Sequence, residues 1–425
     1  MRSGPLHIPK LTATVTRVWP IPGSKSITNR AFILAALSEG DSVLDNVLAS
    51  DDTRHMRIGL QALGIASHDT GPGQVTVRGG RSRLRAPSAP LFIGNSGTSV
   101  RFLTALAALV PGRTTLQGDE HMAKRPISDL IDGLRQLGVE IDCATGCPPL
   151  TITGGDLRAG DLVMRGDRSS QYFSALLMAA ACAPGETRVR IDGELVSRPY
   201  VEMTARMVGD FGGSISSDSD GFVVRPCAYR ARPYRIEPDA SSASYPFALA
   251  AAGGHRLEVA GLNRQTLQGD VAFVDVLRAM GARVEQTALG TAVAGSGSLD
   301  GIDVDMFHIS DTVMSLAAIA PLCAAPVTIR NIGNIRIKEC DRLAAMVSEL
   351  GRMGARVEAG EDWLRVHPGP LRPATIDCRS DHRIAMSFGV LGACSGVVTI
   401  DDPACTAKTY PGFWDDLSAC YPSPW

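Results

Sequence analysis

The sequence lacks the marks of the common cofactor sites. No G-x-x-x-x-G-K-[ST] stands in register, no G-x-G-x-x-G opens a helix, and no H-E-x-x-H or aspartate cluster offers a metal cage. The eight histidines are dispersed, so neither a metal nor a cofactor is expected. The ten cysteines, scattered from Cys143 to Cys420, include no C-x-x-C pair. Cys143 and Cys147 are four apart but have no second ligand pair, and the thiols are read as reduced and mostly buried. A strong charge of either sign is also missing: the formal net charge of −2 argues against a nucleic-acid or membrane binder. Long apolar runs are absent, and ALLMAAACAP is too short to span a bilayer. The N-terminal MRSGPLHIPKLTATV has no apolar core of signal-peptide length, so a cytoplasmic location is expected.

With 425 residues, 44% of them hydrophobic and 20% charged, the chain reads as a globular protein of two or three domains. Its organising feature is a repeat of roughly 70 residues. Six short, alanine-rich apolar helices begin with hydroxyl or acidic residues: SITNRAFILAAL, GTSVRFLTALAAL, SSQYFSALLMAAA, SSASYPFALAAA, SDTVMSLAAIAPL and SDHRIAMSFGVLG. Most are followed by a Gly or Pro turn, a β-branched strand such as TRVRIDG, and a second, amphipathic helix. The second series ends in Gly64, Gly138, Gly212, Gly281 and Gly354, each suited to the left-handed position after a helix. TYPGFWDDLSAC reads as a truncated sixth. Each copy is an α/β unit unable to bury its face alone, so three make one lobe and six make two. The Arg- and Pro-rich CAYRARPYRIEP, 227–238, is the expected crossover. Residues 1–22 with 239–425 would form one lobe, and 23–238 the other.

The polar residues concentrate at helix starts. PGSKSITNR places Lys25, Ser26 and Arg30 where the first helix opens, with its free N–H groups and positive dipole end. The second copy has Asn95-Ser96-Gly97-Thr98 and Arg101, the third Ser169-Ser170-Gln171, the fifth Asp311, and the sixth Asp381-His382-Arg383. The second helices add Arg125 before Pro126, Ser197-Arg198 before Pro199, and Lys338, Glu339, Asp341 and Arg342; Lys408 precedes the sixth. Both prolines are expected in the first turn of a helix. Singly, each residue reads as a cap or a solvated charge. Together they suit a ligand carrying several negative charges, neutralised by Lys and Arg without metal.

The motifs PGSKSITNRA, GNSGTSVR, KRPI, SSQY, VSRPY, DASSASYP, ISD, NIRIKECDR, DHRIAM and CTAKTYP, in this order, resemble the 5-enolpyruvylshikimate-3-phosphate synthases, which are 3-phosphoshikimate 1-carboxyvinyltransferases. The resemblance covers nearly the whole chain. It implies the two-lobed α/β enolpyruvyl transferase fold, six βαβαββ units, three per lobe. It also implies transfer of the enolpyruvyl group of phosphoenolpyruvate to the 5-hydroxyl of shikimate 3-phosphate, releasing phosphate, by a monomer with no partner beyond these small-molecule substrates. Carried over by motif, Lys25, Ser26, Arg30, Ser169, Ser170, Gln171, Ser197, Tyr200, Asp311, Asn334 and Lys338 would hold shikimate 3-phosphate. Lys25, Gly97, Thr98, Arg125, Gln171, Arg342, Arg383 and Lys408 would hold phosphoenolpyruvate. Asp311, Glu339 and Lys25 would move the protons. Gly97, lacking a side chain, implies a pocket that admits glyphosate. Two alternatives stay open. One is the sister transferase acting on UDP-N-acetylglucosamine, whose loop cysteine has no counterpart in GDEHMAKRPI. The other is an RNA 3′-phosphate cyclase-like protein, which needs a nucleotide and a basic surface.

Overall fold

A computed structural model describes residues 4–425. Among them, twelve α-helices, α1 to α12 in chain order, alternate between two series. The odd series comprises α1 (Lys25–Leu37), α3 (Gly97–Ala107), α5 (Ser170–Ala180), α7 (Ala240–Gly253), α9 (Val313–Ile319) and α11 (His382–Ser395). The even series comprises α2 (Asp51–Ala62), α4 (Ser128–Gln136), α6 (Arg198–Asp210), α8 (Phe273–Ala279), α10 (Arg342–Arg352) and α12 (Phe413–Ser418). The odd helices are apolar on every side and are buried almost end to end, as in α3, where all residues from Gly97 to Ala107 are shielded. The even helices bury one stripe only; α4 buries Leu130, Ile131, Gly133 and Leu134 and leaves the rest toward solvent. None of the described helices is long and apolar enough to cross a membrane.

Six small sheets accompany the helices, five of four strands and one of three. In the third copy Asp161–Arg165 runs parallel to Thr187–Asp192 across α5, while the hairpin Ser214–Ser217 and Gly221–Arg225 returns antiparallel. Along Thr187–Asp192 the side chains of Thr187 and Val189 are buried and Arg190 is exposed, the period-2 alternation of a half-covered strand. Two copies borrow their first strand from far along the chain. Tyr234–Arg235 pairs parallel with Gly40–Asp45 of the first copy. Thr16–Val18 pairs parallel with Arg256–Ala260 of the fourth. The sixth copy ends at the short α12, and Leu6–Ile8 closes its three-stranded sheet antiparallel to Val398–Ile400.

The chain divides into two compact units, one from the segment up to Pro22 with Glu237–Trp425, the other Gly23–Ile236. In the first, the odd helices α7, α9 and α11 pack on one another. In the second, α1, α3 and α5 supply the core, with Phe32, Phe102 and Phe173 fully buried.

The repeat glycines take the backbone their position requires: Gly64, Gly138, Gly212, Gly281 and Gly354 have φ of +96°, +83°, +90°, +98° and +87°. A contrast test follows at the C-terminal end of α6. Gly212→Ala is expected to destabilise by about 1–2 kcal/mol, because an L residue is forced left-handed. Gly209→Ala, on the exposed face of the same helix with open space where a Cβ would stand, is expected to stabilise by about 1 kcal/mol. Denaturant melts of the two variants check the sign of each.

Two local expectations are corrected. Pro199 does sit in the first turn of α6, but Pro126 lies before Ile127, the N-cap of α4, because that helix starts only at Ser128. The fifth odd helix is broken into a 3₁₀ turn at Ser310–Thr312, α9, and a second 3₁₀ turn at Ala320–Leu322. Pro321 lacks the N–H that would continue the α-helical ladder.

Candidate active site

In the unit Gly23–Ile236, PGSKS turns into α1 with the Ser24 hydroxyl accepting from the Ile27 N–H. Gly23 is obligatory, since a Cβ there would stand 1.9 Å from the Asn46 carbonyl oxygen. The turn puts Lys25 at the head of α1, its Nζ 3.2 Å from Asp52 Oδ2, with Asp52 almost wholly buried. Ser26 is half-buried beside it.

Arg30, carried over as a shikimate 3-phosphate residue, is anchored inside the unit. It is 1% exposed, and its guanidinium donates to Thr204 Oγ1 at 2.7 Å, the Ser26 carbonyl at 2.9 Å, Ser174 Oγ at 2.9 Å and the Tyr200 carbonyl at 3.1 Å. It also lies 5.2 Å from the Phe102 ring centroid and 6.0 Å from that of Tyr200. Burial pulls its pKa down to about 10. Arg30 thus braces α1 against α5 and α6.

A second group forms where α3 and α5 begin. Gln171 Nε2 is 3.4 Å from Thr98 Oγ1, and Arg101 Nη1 donates to Gln171 Oε1 at 2.5 Å while its guanidinium stacks 5.2 Å from the Tyr172 ring. Ser169 caps α5, whose first residue is Ser170. Arg125 is held by Asn95, Nη1 to Oδ1 3.2 Å, directly over Gly97. A Cβ on Gly97 would meet three guanidinium atoms at 2.6–2.8 Å. Ser197, the N-cap of α6, takes a left-handed φ of +51°, and its carbonyl accepts from the Tyr200 N–H at 3.0 Å. A non-glycine residue held so stores about 1 kcal/mol or more of strain, a feature that clusters at functional sites.

In the other unit the charged residues centre on Arg342. Its Nε donates to Asp381 Oδ2 at 2.8 Å, its Nη2 to Glu339 Oε2 at 2.7 Å and to Asp381 Oδ1 at 3.3 Å, and its Nη1 lies 3.4 Å from Asp311 Oδ1. Arg383 Nη2 takes the other oxygen of Asp311 at 2.8 Å. Burial opposes the charge on Arg342, but Asp381, Glu339 and Asp311 outweigh it and lift the pKa above the ordinary arginine value. Asp381 is fully buried and also caps α11, accepting from the Arg383 N–H. Asp311, by contrast, keeps 23% of its side chain exposed: a carboxylate both fixed and reachable. Asn334 donates to Ser310 Oγ at 2.8 Å. Lys338 and Lys408 stand at the ends of the 3₁₀ turns Gly333–Ile337 and Pro403–Lys408.

The expected residues therefore gather in three groups: Lys25 with Asp52; Gly97, Thr98, Gln171 and Arg125 around the starts of α3 and α5; and Asp311, Glu339, Arg342 and Arg383. Sequence reasoning left out the residues that orient them. Asp52 stands second in α2, while Asn95 and Asp381 read from the sequence only as helix-start residues. Tyr245 gave no polar signal, being inside the apolar α7. Its phenol is buried, which raises its pKa to about 12 against the opposing pull of the Arg383 and Arg342 cations.

The family model of EPSP synthase (3-phosphoshikimate 1-carboxyvinyltransferase) matches residues 8–417. A 3-phosphoshikimate 1-carboxyvinyltransferase of Nostoc sp. (strain PCC 7120) is 43% identical over 414 residues, covering 96% of this chain and 97% of the relative. One from Serratia proteamaculans is 44% identical over 407 residues, 94% of each chain. Among solved structures, EPSP synthase from Acinetobacter baumannii superposes with a TM-score of 0.83 at 23% identity over 99% of both chains. The enolpyruvyl transferase NikO from Streptomyces tendae shares the fold with a TM-score of 0.77 at 18% identity, over 99% of this chain and 98% of its own. With the repeat, its glycines and the arginine–carboxylate cluster all in place, the match from residue 8 to residue 417 establishes that the chain belongs to the EPSP synthase family.

Proposed function

We infer that the protein transfers the enolpyruvyl group of phosphoenolpyruvate to the 5-hydroxyl of shikimate 3-phosphate, the carbon–oxygen bond-forming step of the shikimate pathway. Family membership favours this over a sugar-nucleotide acceptor or an RNA end. The observation that carries the chemistry is Asp311, gripped by Arg383 at 2.8 Å and Arg342 at 3.4 Å yet open to solvent. Asp311 accepts the 5-hydroxyl proton as that oxygen attacks C2 of phosphoenolpyruvate, and C3 is protonated from Glu339 or Lys25. The tetrahedral adduct then expels phosphate as a C3 proton is removed, which restores the enol ether. Fixed cations hold the reacting anions: Arg125, Arg342, Arg383 and Lys408 on the donor, with Gly97, Thr98 and Gln171 beside it. Lys25, Ser26, Arg30, Ser169, Ser170, Gln171, Ser197, Tyr200, Asn334 and Lys338 serve the acceptor. Two of these cations, Arg30 and Arg342, are each 1% exposed, so their part is exerted mainly through the residues they brace. We place the enzyme in the cytoplasm as a monomer.

Phosphate release from phosphoenolpyruvate, with shikimate 3-phosphate or UDP-N-acetylglucosamine as acceptor, tests the reading; release only with the sugar nucleotide overturns it. Gly97→Ala adds a methyl within 2.8 Å of the Arg125 guanidinium and forces that cation aside. The KM for phosphoenolpyruvate is expected to rise about tenfold, with that for shikimate 3-phosphate little changed, since a displaced positioning group weakens what it holds. Glyphosate inhibition is expected to weaken in parallel, which an inhibitor titration reads directly.

A further inference from the structure

One phenol ties the strand Thr16–Val18 and the chain after it to the last helix, α12. Tyr410 is buried and stands two residues beyond Lys408. Its oxygen lies 2.9 Å from Trp19 Nε1, 2.6 Å from the Pro20 carbonyl oxygen and 2.6 Å from Asp416 Oδ2 on α12. Trp19 is buried as well, and Asp416 is half-buried. A spacing of 2.6 Å is that of a made O–H···O bond, so each of the two oxygen contacts needs a proton in it. An indole N–H only donates and a carbonyl oxygen only accepts, while a phenol has one proton to give. If Tyr410 donates to Asp416, it meets the Pro20 oxygen lone pair against lone pair. If it donates to Pro20, an ionised Asp416 meets it in the same way. All three contacts are filled only when Tyr410 donates to Pro20 and accepts from Trp19 and from a protonated Asp416.

We propose that Asp416 is a positioning residue for Lys408 and that it works as the neutral acid, keeping its proton at neutral pH. The turn Pro403–Lys408 is fastened at its start by Trp414, whose Nε1 donates to the Pro403 carbonyl at 2.8 Å. Its far end is held through Tyr410, whose N–H donates to the Thr406 carbonyl at 2.8 Å and whose phenol is tied to Pro20 and Asp416. When Asp416 loses its proton, the one phenol proton is claimed by two acceptors. One tie breaks, and the end of the turn that carries Lys408 loosens. The groups facing Asp416 are Tyr410, Arg17 from the strand, Asp415 beside it on α12, and Cys420, whose Sγ is 3.8 Å from the Asp416 carbonyl oxygen. Burial is the largest influence and raises Asp416 above the usual carboxylate range, with Tyr410 and Arg17 opposing. Tyr410 opposes only while its proton points at Asp416, and Pro20 competes for that proton. Burial also holds the Tyr410 phenol protonated far above the ordinary tyrosine value, so Asp416 gives up its proton first. With the folded value the raised one, the tie is intact on the acid side and is lost as the pH climbs past it.

The part played through Lys408 rests on the function proposed above; the proton on Asp416 does not. Infrared difference spectra of the parent against Asp416→Asn at neutral pH, in the region of the protonated-carboxyl C=O stretch, decide the proton. The expected result is a band in the parent that the variant lacks, and its absence overturns the neutral acid. The KM for phosphoenolpyruvate is then followed by phosphate release from neutral to alkaline pH. Asp416→Ala is expected to raise it about tenfold with the KM for shikimate 3-phosphate little changed, since a loosened positioning group weakens what it holds. Asp416→Asn, whose amide N–H donates to the phenol as the acid does, is expected to restore the parental KM at neutral pH. It is also expected to lack the alkaline rise in KM that the parent shows. An alanine variant with the parental KM, or an asparagine variant with the parental pH profile, overturns the positioning role. A parent enzyme that releases no phosphate counts against the function, while the infrared band still decides the acid.

Discussion

Asp311→Asn is expected to lower turnover by about 10²–10⁴-fold while leaving shikimate 3-phosphate binding within a few-fold of the parent. The amide keeps the size of the carboxylate, so the site retains its shape. It cannot accept the hydroxyl proton as the C–O bond forms. Its –NH₂ also faces one of the two guanidiniums that now hold the carboxylate oxygens, Arg342 at 3.4 Å or Arg383 at 2.8 Å. Phosphate release at saturating substrates gives the rate, and calorimetric titration with shikimate 3-phosphate gives the affinity. A rate within about tenfold of the parent removes Asp311 from the proton transfer.

Asp381 produces the second large effect, and it acts on stability and rate together. Its carboxylate is fully buried, forks to Arg342 at 2.8 and 3.3 Å, and caps α11. Asp381→Ala leaves the buried Arg342 cation with Glu339 and Asp311 alone and is expected to cost about 3 kcal/mol, the low end for breaking a buried ion pair. The rate is expected to fall about 10²-fold as Arg342 and Arg383 lose their orientation. Asp381→Asn separates the two consequences. It keeps a capping oxygen, so the melting temperature recovers in part, but it removes the negative charge that faces Arg342, so the rate does not. An alanine variant that melts with the parent rules out this account of the cluster.

The candidate site was legible in the sequence at the level of which segments carry it and illegible at the level of what each side chain does. Lys25, Gly97, Gln171, Asp311 and Arg383 all occur at helix starts, where the free N–H groups make polar residues informative. Arg30 shows where that inference stops. Its position in PGSKSITNR marks it as an anion ligand, yet Thr204, Ser174 and the Tyr200 carbonyl, more than 140 residues away, claim its donors. Asp52 and Tyr245 were missed for the same reason: their partners are distant in sequence, and no local pattern announces them.

By itself the sequence determined the repeat, the two helix series and the backbone at their ends. Apolar periodicity, caps and C′ glycines act over a few residues, and Gly64, Gly138, Gly212, Gly281 and Gly354 all adopt the positive φ their spacing implies. Only the tertiary structure decided which strand completes which sheet. Tyr234–Arg235 serves the first copy and Thr16–Val18 the fourth, because a sheet edge is satisfied by any strand of the right register, however far along the chain. Tertiary structure also decided that Arg342 is shared among three carboxylates. A charge takes its role from what folding brings within about 4 Å of it, and sequence separation does not encode that distance.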